Sequence, residues 1–457
     1  MSSRRLMAWA MILVVAGGAW LLSNHLDQRD QEEQAKASRL WELDDLTSVQ
    51  ALEFKGRDYP EPLRVERAGQ GQQWRVSKPL ACPADSLAVG RVLNSLAAAQ
   101  VSQRLDDPGP WSDFGLAPPL LELVLTDRQG GSRTLLVGSI SPSQESVYLA
   151  RPGQPEVLLA PVELRASLAK RLLDLRDKVV LDFPLAQVRR VELQEGTSHL
   201  ILERNQAGGP AGWTLAGQGP ADPEEVDNLL LQAHGLLAQG FVDQDFKPAK
   251  LGLEPPRGRL ALTLADGGQQ GLIWGQEVPG KNQTYVRRTE GGPLMLVQDE
   301  SLKRLERQPR DLLDRRLFTL ERSAVDQLKI ARQGRERLFA RQEGQWRQVQ
   351  PPGGDPAIGE KAGLFIWDLL DLRWEKALPA DDYGLDSPDC TLALAAGQDA
   401  GQVLAVGRPD PVSGLLPVRL AGQKVVYGIK SDFMDKIPQE PGAPAPAPGD
   451  TSQSSRK

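Results

Sequence analysis

The sequence contains very few of the side chains that usually build metal centres and disulfide frameworks. Among its 457 residues there are two cysteines, Cys82 and Cys390, and three histidines. A structural zinc site needs about four cysteine or histidine ligands held close together, so zinc is not predicted. Two cysteines make no disulfide framework either. We therefore expect no metal and no cofactor.

Catalytic signatures and an excess of positive charge are missing as well. The chain contains neither a Gly-x-Ser-x-Gly nucleophile turn nor a His-Glu-x-x-His zinc-protease helix. Its formal net charge is −6, whereas nucleic-acid-binding domains usually present a basic face. We predict that the protein is not an enzyme and does not bind nucleic acid. A hydrolase with an unrecognised site is kept as an alternative.

One long apolar run is present, at the N-terminus. Residues 6–22 carry no charge, follow Arg4 and Arg5, and precede several acidic residues. The run is just long enough for a spanning helix. The positive-inside rule then predicts a single-pass protein of the inner (cytoplasmic) membrane, with a cytoplasmic N-terminus and the bulk of the chain in the periplasm. Residues 1–23 would be the stub and transmembrane anchor and residues 24–40 a polar stalk; cleavage of the anchor is left open.

A recurring pair of glycines organises the rest of the chain. A Gly-Leu turn, followed closely by a proline, comes 23 residues before a second glycine, with an alternating apolar run between them. Alternation bounded by turn residues predicts strands, and we expect the turn glycines to take positive φ. The three pairs are Gly115 with Gly138, Gly252 with Gly275, and Gly384 with Gly407, and the tryptophans that precede them are Trp74, Trp213 and Trp346.

This repetition predicts three tandem copies of one module. Each copy reads as β-β-α-β-β-β-β-α, in which the second strand ends at the tryptophan and a helix follows. Short links favour an antiparallel or mixed sheet with helices packed on it, hence an α+β fold. The expected modules are residues 41–183, 184–320 and 321–437, the last truncated at its C-terminal helix. Residues 438–457 are predicted from their composition to be a disordered tail.

The predicted helix after each tryptophan has its own start signal. Asp222 and Asp355 each precede a proline, as an N-cap residue does. In the first copy the same place is held by Cys82 before Pro83. We interpret Cys82 as a poor substitute cap; a reactive thiol with a lowered pKa is the alternative. Whether Cys82 pairs with Cys390 is left open.

Acidic residues recur at two further places in the copies. Asp174 with Asp177, and Asp311 with Asp314, lie among arginines at predicted helix ends. We interpret these pairs as ion-paired linkers between modules. Further aspartates precede each Gly-Leu turn, and we interpret them as turn-forming residues and not as cation ligands.

These features resemble a known family, the bacterial domain-of-unknown-function 4340 (DUF4340) proteins. The resemblance rests on the N-terminal span, the three tryptophans, the Gly-Leu turns, the Tyr285-Val286-Arg287 strand and the Asp-Leu-x-Asp ends at Asp174 and Asp311. The third copy lacks this tyrosine and the closing acidic motif. The resemblance implies an envelope accessory of an ABC-type export or gliding-associated system, and it brings no catalytic residues.

The main hypothesis is therefore a non-catalytic, membrane-anchored scaffold that docks on integral-membrane transport subunits. The alternative is a protein that binds envelope glycans or peptides through exposed aromatic side chains. Trp111 and Trp274 do not match between the copies. They are therefore the candidates for contact with a partner or ligand.

Overall fold

The structure is a computed structural model. It describes residues 38–41, 46–68, 73–205, 212–353, 355–379, 381–397 and 401–438. The predicted anchor, nearly all of the stalk and all but the first residue of the predicted tail lie outside these ranges. Within them, no helix combines the length and the apolar character that crossing a bilayer requires.

Three antiparallel β-sheets and a few helices make up the described residues, which confirms the predicted α+β class. The strand pairs described below are all antiparallel, as expected for strands joined by short links.

The first sheet has nine strands, and one long helix covers its core. This helix begins after the N-cap residue Asp85, whose carboxylate accepts a hydrogen bond from the Ala88 amide at 2.9 Å. It buries Val89, Val92 and Leu96 in the core of the sheet. The strands are β1 Val49–Gly56, β2 Tyr59–Ala68, β3 Gln73–Lys78, β4 Cys82–Pro83, β5 Gln103–Leu105, β6 Leu121–Asp127, β7 Ser132–Ile140, β8 Ser146–Ala150 and β9 Val157–Pro161; the helices are α1 Ser86–Ala98, α2 Glu163–Leu168 and α3 Leu172–Leu175. Their order across the sheet is β4-β3-β2-β1-β6-β7-β8-β9-β5.

The second sheet also has nine strands. They are β10 Val188–Glu195, β11 Ser198–Arg204, β12 Trp213–Leu215, β13 Gly219–Ala221, β14 Ala238–Val242, β15 Gly258–Leu264, β16 Gln269–Glu277, β17 Gln283–Arg288 and β18 Leu294–Gln298; the helices are α4 Pro223–His234, α5 Asp299–Lys303 and α6 Pro309–Leu312. The order is β13-β12-β11-β10-β15-β16-β17-β18-β14.

The third sheet has eight strands and the longest helix of the described residues. The strands are β19 Gln327–Arg332, β20 Arg335–Gln342, β21 Gln345–Gln350, β22 Lys376–Leu378, β23 Cys390–Ala395, β24 Gln402–Val406, β25 Leu416–Leu420 and β26 Val426–Ile429; the helix is α7 Pro356–Leu370. The order is β21-β20-β19-β23-β24-β25-β26-β22. The proline that opens α7 follows the N-cap Asp355, as predicted.

The strand plan predicted from the sequence omits β4 and β13, the fourth strands of the first two sheets, and is wrong in two further details. First, each landmark tryptophan lies on a third strand, β3, β12 or β21, and does not end the second one. Second, a short strand after the long helix (β5, β14 or β22) pairs with the last strand of its sheet. These short strands have three to five residues, too few to show a clear alternating pattern.

By compactness the chain divides into two units. Of the described residues, the first unit contains those up to Asp182 with His234–Arg257 and Leu272–Lys303, and the second contains those in Phe183–Ala233 and Gly258–Gly271 and from Arg304 onward. The first sheet thus belongs to the first unit and the third sheet to the second. The predicted module boundaries stay predictions.

Candidate functional site

The Gly-Leu landmarks are turns held in the left-handed region. Gly115, Gly252 and Gly384 have φ values of 67°, 68° and 73°, so the predicted positive φ is confirmed at all three. The first two end short 3-10 helices, Trp111–Phe114 and Pro248–Leu251. A side chain on any of these glycines would strain the backbone.

The second glycine of each pair lies on, or for Gly407 directly after, the strand beneath this turn. A Cβ atom on Gly138 would lie 2.2 Å from the Phe114 carbonyl oxygen, and one on Gly275 only 2.0 Å from the Leu251 oxygen. On Gly407 the distance to the nearest turn carbonyl is 2.6 Å. Only glycine allows this close approach, so the 23-residue spacing reflects a turn seated on a strand. The landmarks are structural.

The three landmark tryptophans lie on equivalent strands, β3, β12 and β21, but differ in burial. Trp74 and Trp213 are buried, whereas Trp346 is only half-buried. The Arg67 guanidinium lies 4.7 Å from the centre of the Trp74 ring, and Arg204 lies 5.3 Å from that of Trp213. These cross-strand pairs place Trp74 and Trp213 in structural roles and leave Trp346 as the accessible one.

The two candidate contact residues differ in burial, and the Trp111 contact stays a prediction. Trp274 is 0 % exposed and lies on β16, so its proposal as a surface contact is wrong. Trp111 is half-buried and packs against Leu116 and Leu136 in a small apolar cluster under the first Gly-Leu turn.

Cys82 does not begin a helix, contrary to the sequence interpretation. It is buried in β4, and the cap of α1 is Asp85, three residues later. Both cysteines are free, so they form no disulfide. Burial raises the pKa of the Cys82 thiol, and burial raises the pKa of Cys390 to about 11. Neither thiol is activated as a nucleophile.

The chain between the first and second sheets pairs with the backbone on both of its sides. We call residues 175–180 the first linker. One end bonds to the chain between β4 and α1, and the other end bonds to the segment after α4. At one end the Asp85 amide donates to the Leu175 carbonyl oxygen (2.8 Å), and the Asp177 amide donates to the Pro83 oxygen (3.0 Å). At the other end the Val180 amide donates to the Leu236 oxygen (3.1 Å), and the Ala238 amide donates to the Lys178 oxygen (2.8 Å).

One arginine of the first linker is buried and holds an acid of the predicted acidic turn. Arg176 is 4 % exposed, and its Nη1 donates to both carboxylate oxygens of Asp243 at 2.8 and 2.9 Å. Its guanidinium also stacks 3.6 Å from the centre of the Phe241 ring. Arg288 donates to the Val180 and Val179 carbonyl oxygens at 2.7 and 2.8 Å. Asp243 is therefore more than a turn residue: it secures the linker.

A small cavity lies beside this arginine. Its volume is about 350 Å³, and Cys82, Arg176, Phe241 and Met295 are among its lining residues. The buried polar atoms of Arg176 already have partners, so nothing in the cavity calls for a ligand.

The chain between the second and third sheets is paired in the same way. We call residues 312–317 the second linker. It lies between the β13–α4 junction and the segment after α7. The bonds run from the Asp222 amide to the Leu312 oxygen (2.8 Å), Asp314 to Pro220 (2.9 Å), Leu317 to Leu372 (3.1 Å) and Trp374 to Arg315 (2.9 Å).

The ion pairs of the second linker differ from those of the first. The predicted cap Asp222 is only 2 % exposed, accepts from the Glu224 amide at 3.1 Å, and is paired with Arg373. Within the linker, Arg316 pairs with Asp314 at 2.8 Å. Burial would raise the pKa of Asp314, but hydrogen bonds from Arg316 and its charge hold that pKa below the ordinary carboxyl value.

The other acids of the predicted ion-paired linkers bind backbone amides. Asp174 accepts from the Arg171 amide at 2.7 Å, and Asp311 from the Gln308 amide at 2.9 Å. Asp177 accepts from Val179 at 3.0 Å. Of the four, only Asp314 holds a described ion pair; Asp174 and Asp311 cap helices, and Asp177 binds an amide of the first linker.

A wide opening lies at the outer edge of the third sheet. This cleft, of about 890 Å³, runs between β21 and α7. Trp346 forms its floor, with Leu364 and Trp367, which are 68 % and 51 % exposed, on the helix side. The Arg322 guanidinium lies 3.2 Å from the centre of the Trp367 ring. We call the residues that line this opening the third-sheet cleft. It is an exposed aromatic surface of the kind expected from the sequence, but it lies at residues other than Trp111 and Trp274.

No group of three or more potential metal-ligating side chains occurs among the residues described.

The comparisons with known proteins identify one family. A family model described as "Domain of unknown function (DUF4340)" matches residues 74–249 and, separately, residues 213–362. Together the matches span residues 74–362, more than half of the chain. The two matches begin at Trp74 and Trp213. No curated protein and no solved structure matches the chain.

Proposed function

The chain belongs to the DUF4340 family, and on that premise we propose that it is a non-catalytic scaffold of the bacterial cell envelope. In this proposal residues 6–22 anchor it in the inner membrane and the remaining chain projects into the periplasm. Charge placement around the apolar run supports this orientation.

We further propose that the three sheets are copies of one module. The family model matches twice, starting at equivalent tryptophans. The turn glycines share one φ value within a few degrees, and the two linkers make the same four backbone bonds. Agreement of these independent features supports descent from a repeated unit.

The observation that carries the proposed function is the pairing of both linkers. A linker joined to its neighbours only at its ends lets domains reorient freely. Here each linker is hydrogen-bonded on both sides, like a strand shared by two sheets. Such junctions suit a protein that holds binding partners at a fixed distance from the membrane. We propose that the partners are integral-membrane subunits of an ABC-type export or gliding-associated system, as the family resemblance implies.

The direct test is recovery of the intact, anchored chain from its own membranes in mild detergent. The scaffold proposal expects integral transport subunits to co-purify in fixed ratio. A secreted version that begins at residue 38 is the matched control, and it should lose most of this association because the anchor is gone. Recovery of the intact chain as a clean monomer would contradict the proposal.

The third-sheet cleft favours a second candidate function, the binding of an envelope glycan or peptide. Exposed Trp367 and half-buried Trp346 offer ring faces on which a sugar or a peptide can stack. Trp367→Ala should then abolish retention on peptidoglycan fragments, whereas Leu87→Ala, which removes a 76 % exposed leucine from α1, should not. Equal retention by both variants and by the unchanged chain would exclude this cleft as the glycan site.

A further inference from the structure

The third sheet differs from the other two at one edge. In the first sheet β4 lies outside the tryptophan strand β3, and in the second sheet β13 lies outside β12. In the third sheet β21 is itself the outermost strand. Between β21 and α7 the described residues form no fourth strand. The third-sheet cleft opens along this uncovered edge.

The uncovered edge explains why Trp346 is accessible. In the first sheet the Ala84 amide, just after β4, donates to the Trp74 oxygen at 3.2 Å and covers that strand. At the equivalent place in the third sheet, Gly359 of α7 lies against the Trp346 oxygen, and Gly363 lies against the Trp346 ring. The helix covers the carbonyl group but leaves the far side of the ring open to the cleft.

The described chain ends next to this cleft. The 3-10 helix Ser431–Lys436 packs beside α7, where the Phe433 and Phe365 ring centres lie 5.6 Å apart. Lys436 pairs with Asp368 at 2.8 Å. The Pro438 oxygen then accepts a hydrogen bond from Arg337 on β20, the strand next to β21. The remaining 19 residues therefore start on the helix-bearing face of the third sheet.

Pro438 and the residues after it have the proline spacing of a polyproline ligand. Pro438, Pro441 and Pro444 recur every three residues, which places them in one row of a polyproline II helix. Aromatic-lined grooves bind such helices because the pre-formed conformation loses little entropy on docking.

The distance is also suitable. In a polyproline II helix, the stretch from Pro438 to Pro444 would extend about 19 Å, at roughly 3.1 Å per residue. Trp346 pairs with Arg341, four residues along β20 from Arg337, or about 13 Å at roughly 3.3 Å per residue. A helix of that length, with Pro438, Pro441 and Pro444 in one row, would therefore be long enough to reach Trp346 without any change in the conformation of the described residues.

We propose that the proline-rich C-terminal segment of this chain, residues 439–448, is the occupant of the third-sheet cleft. It would lie as a polyproline II helix on Trp346 and Trp367 and cover the edge that β4 and β13 cover in the other sheets. The proposal is independent of the scaffold function, since it concerns only the second compact unit.

The test is photo-crosslinking in the intact chain. A benzoylphenylalanine is placed at Glu360, an exposed residue that lines the cleft, and crosslinked peptides are identified by mass spectrometry. We expect products that join position 360 to residues 439–448 of the same molecule, with a yield independent of protein concentration. Products that join two molecules, products elsewhere in the chain, or no product would overturn the proposal.

Matched proline variants sharpen the result. Changing Pro441 and Pro444 together to glycine should lower the crosslinking yield about fivefold, because the row that faces the cleft is lost. Changing Pro446 and Pro448 together to glycine removes as many prolines outside that row and should lower the yield less than about twofold. Equal losses in the two double variants would show that the segment does not dock through its proline row, and would contradict the proposal.

Discussion

The two linkers are built on the same backbone but secured by opposite side-chain arrangements. Each makes the same four main-chain hydrogen bonds to the chain before and after it. In the first linker the buried ion is the cation Arg176 of the linker itself, and its partner Asp243 is 38 % exposed. In the second the buried ion is the anion Asp222, outside the linker, and its partner Arg373 is 39 % exposed.

This comparison distinguishes the main-chain hydrogen bonds, which both linkers share, from the ion pairs, which differ between them. Main-chain pairing is common to both linkers, so it is the feature that holds each linker against the chain before and after it. The ion pairs lie at non-equivalent positions, and the buried partner is a cation, Arg176, in the first and an anion, Asp222, in the second. A buried charge is costly without its partner, so each pair makes its own junction sensitive to a different substitution.

The largest effect is expected from Arg373→Ala. It leaves Asp222, 2 % exposed, without its arginine, and we expect the free energy of unfolding to fall by about 3 kcal/mol, measured by urea denaturation. Adding Asp222→Asn should restore roughly half of the loss, since the amide keeps the cap and removes the charge. Failure of the double variant to recover any stability would show that the arginine acts through packing alone.

A smaller loss is expected from Arg176→Ala. Its partner Asp243 is partly exposed and can be solvated, so the cost comes mainly from the lost contact with Phe241 and should be about 2 kcal/mol. Arg189→Ala removes an exposed arginine from β10 and serves as the control, with a change below about 0.5 kcal/mol. If Arg176→Ala lost more unfolding free energy than Arg373→Ala, the expected order of the two ion pairs would be wrong.

The second linker should also respond to acid. The pKa of Asp314 is lowered, mainly by Arg316 acting against burial. A lowered pKa contributes stability above the ordinary carboxyl value of 3.8, and this contribution is lost as the pH falls through the lowered value. In Asp314→Asn the fall in unfolding free energy below pH 3.8 should be shallower than in the unchanged chain. Identical slopes in Asp314→Asn and in the unchanged chain would show that Asp314 does not contribute to the pH dependence of stability.

The smallest effect is expected from Lys178→Ala in the first linker. Lys178 takes part in the pairing through its carbonyl oxygen, which alanine retains. The unfolding free energy should change by less than about 0.5 kcal/mol. A loss comparable to that of Arg176→Ala would mean that side chains, and not the main chain, position the junction.

Local features of the fold were predictable because they depend on neighbouring residues. The turn glycines Gly115 and Gly252 were predicted from their own sequence context, and the N-cap Asp355 from the proline that follows it. Cys82 was misplaced because the first copy has its cap, Asp85, three residues later. Short strands such as β5 were missed because partners far along the chain define them.

The candidate site was less predictable because it depends on long-range contacts. Arg176 and Asp243 are 67 residues apart in sequence, and nothing local relates them. Trp274 was an attractive surface candidate because it lacked a match in the other copies. Its position on the inner face of β16 buries it, while the matched Trp346 is accessible because the third sheet ends one strand earlier. Burial is a tertiary property, so an unmatched aromatic is not necessarily an exposed one.

Amide hydrogen exchange of the intact chain tests the central claim most directly. The amides of Asp177, Val180, Asp314 and Leu317 all donate across the linkers. If the linkers are paired on both sides, these four should exchange as slowly as amides in the middle of β1 or β19. Exchange at the rate of an amide in an exposed turn, such as that of Gly280, would show that the linkers are not held and would contradict the proposed scaffold.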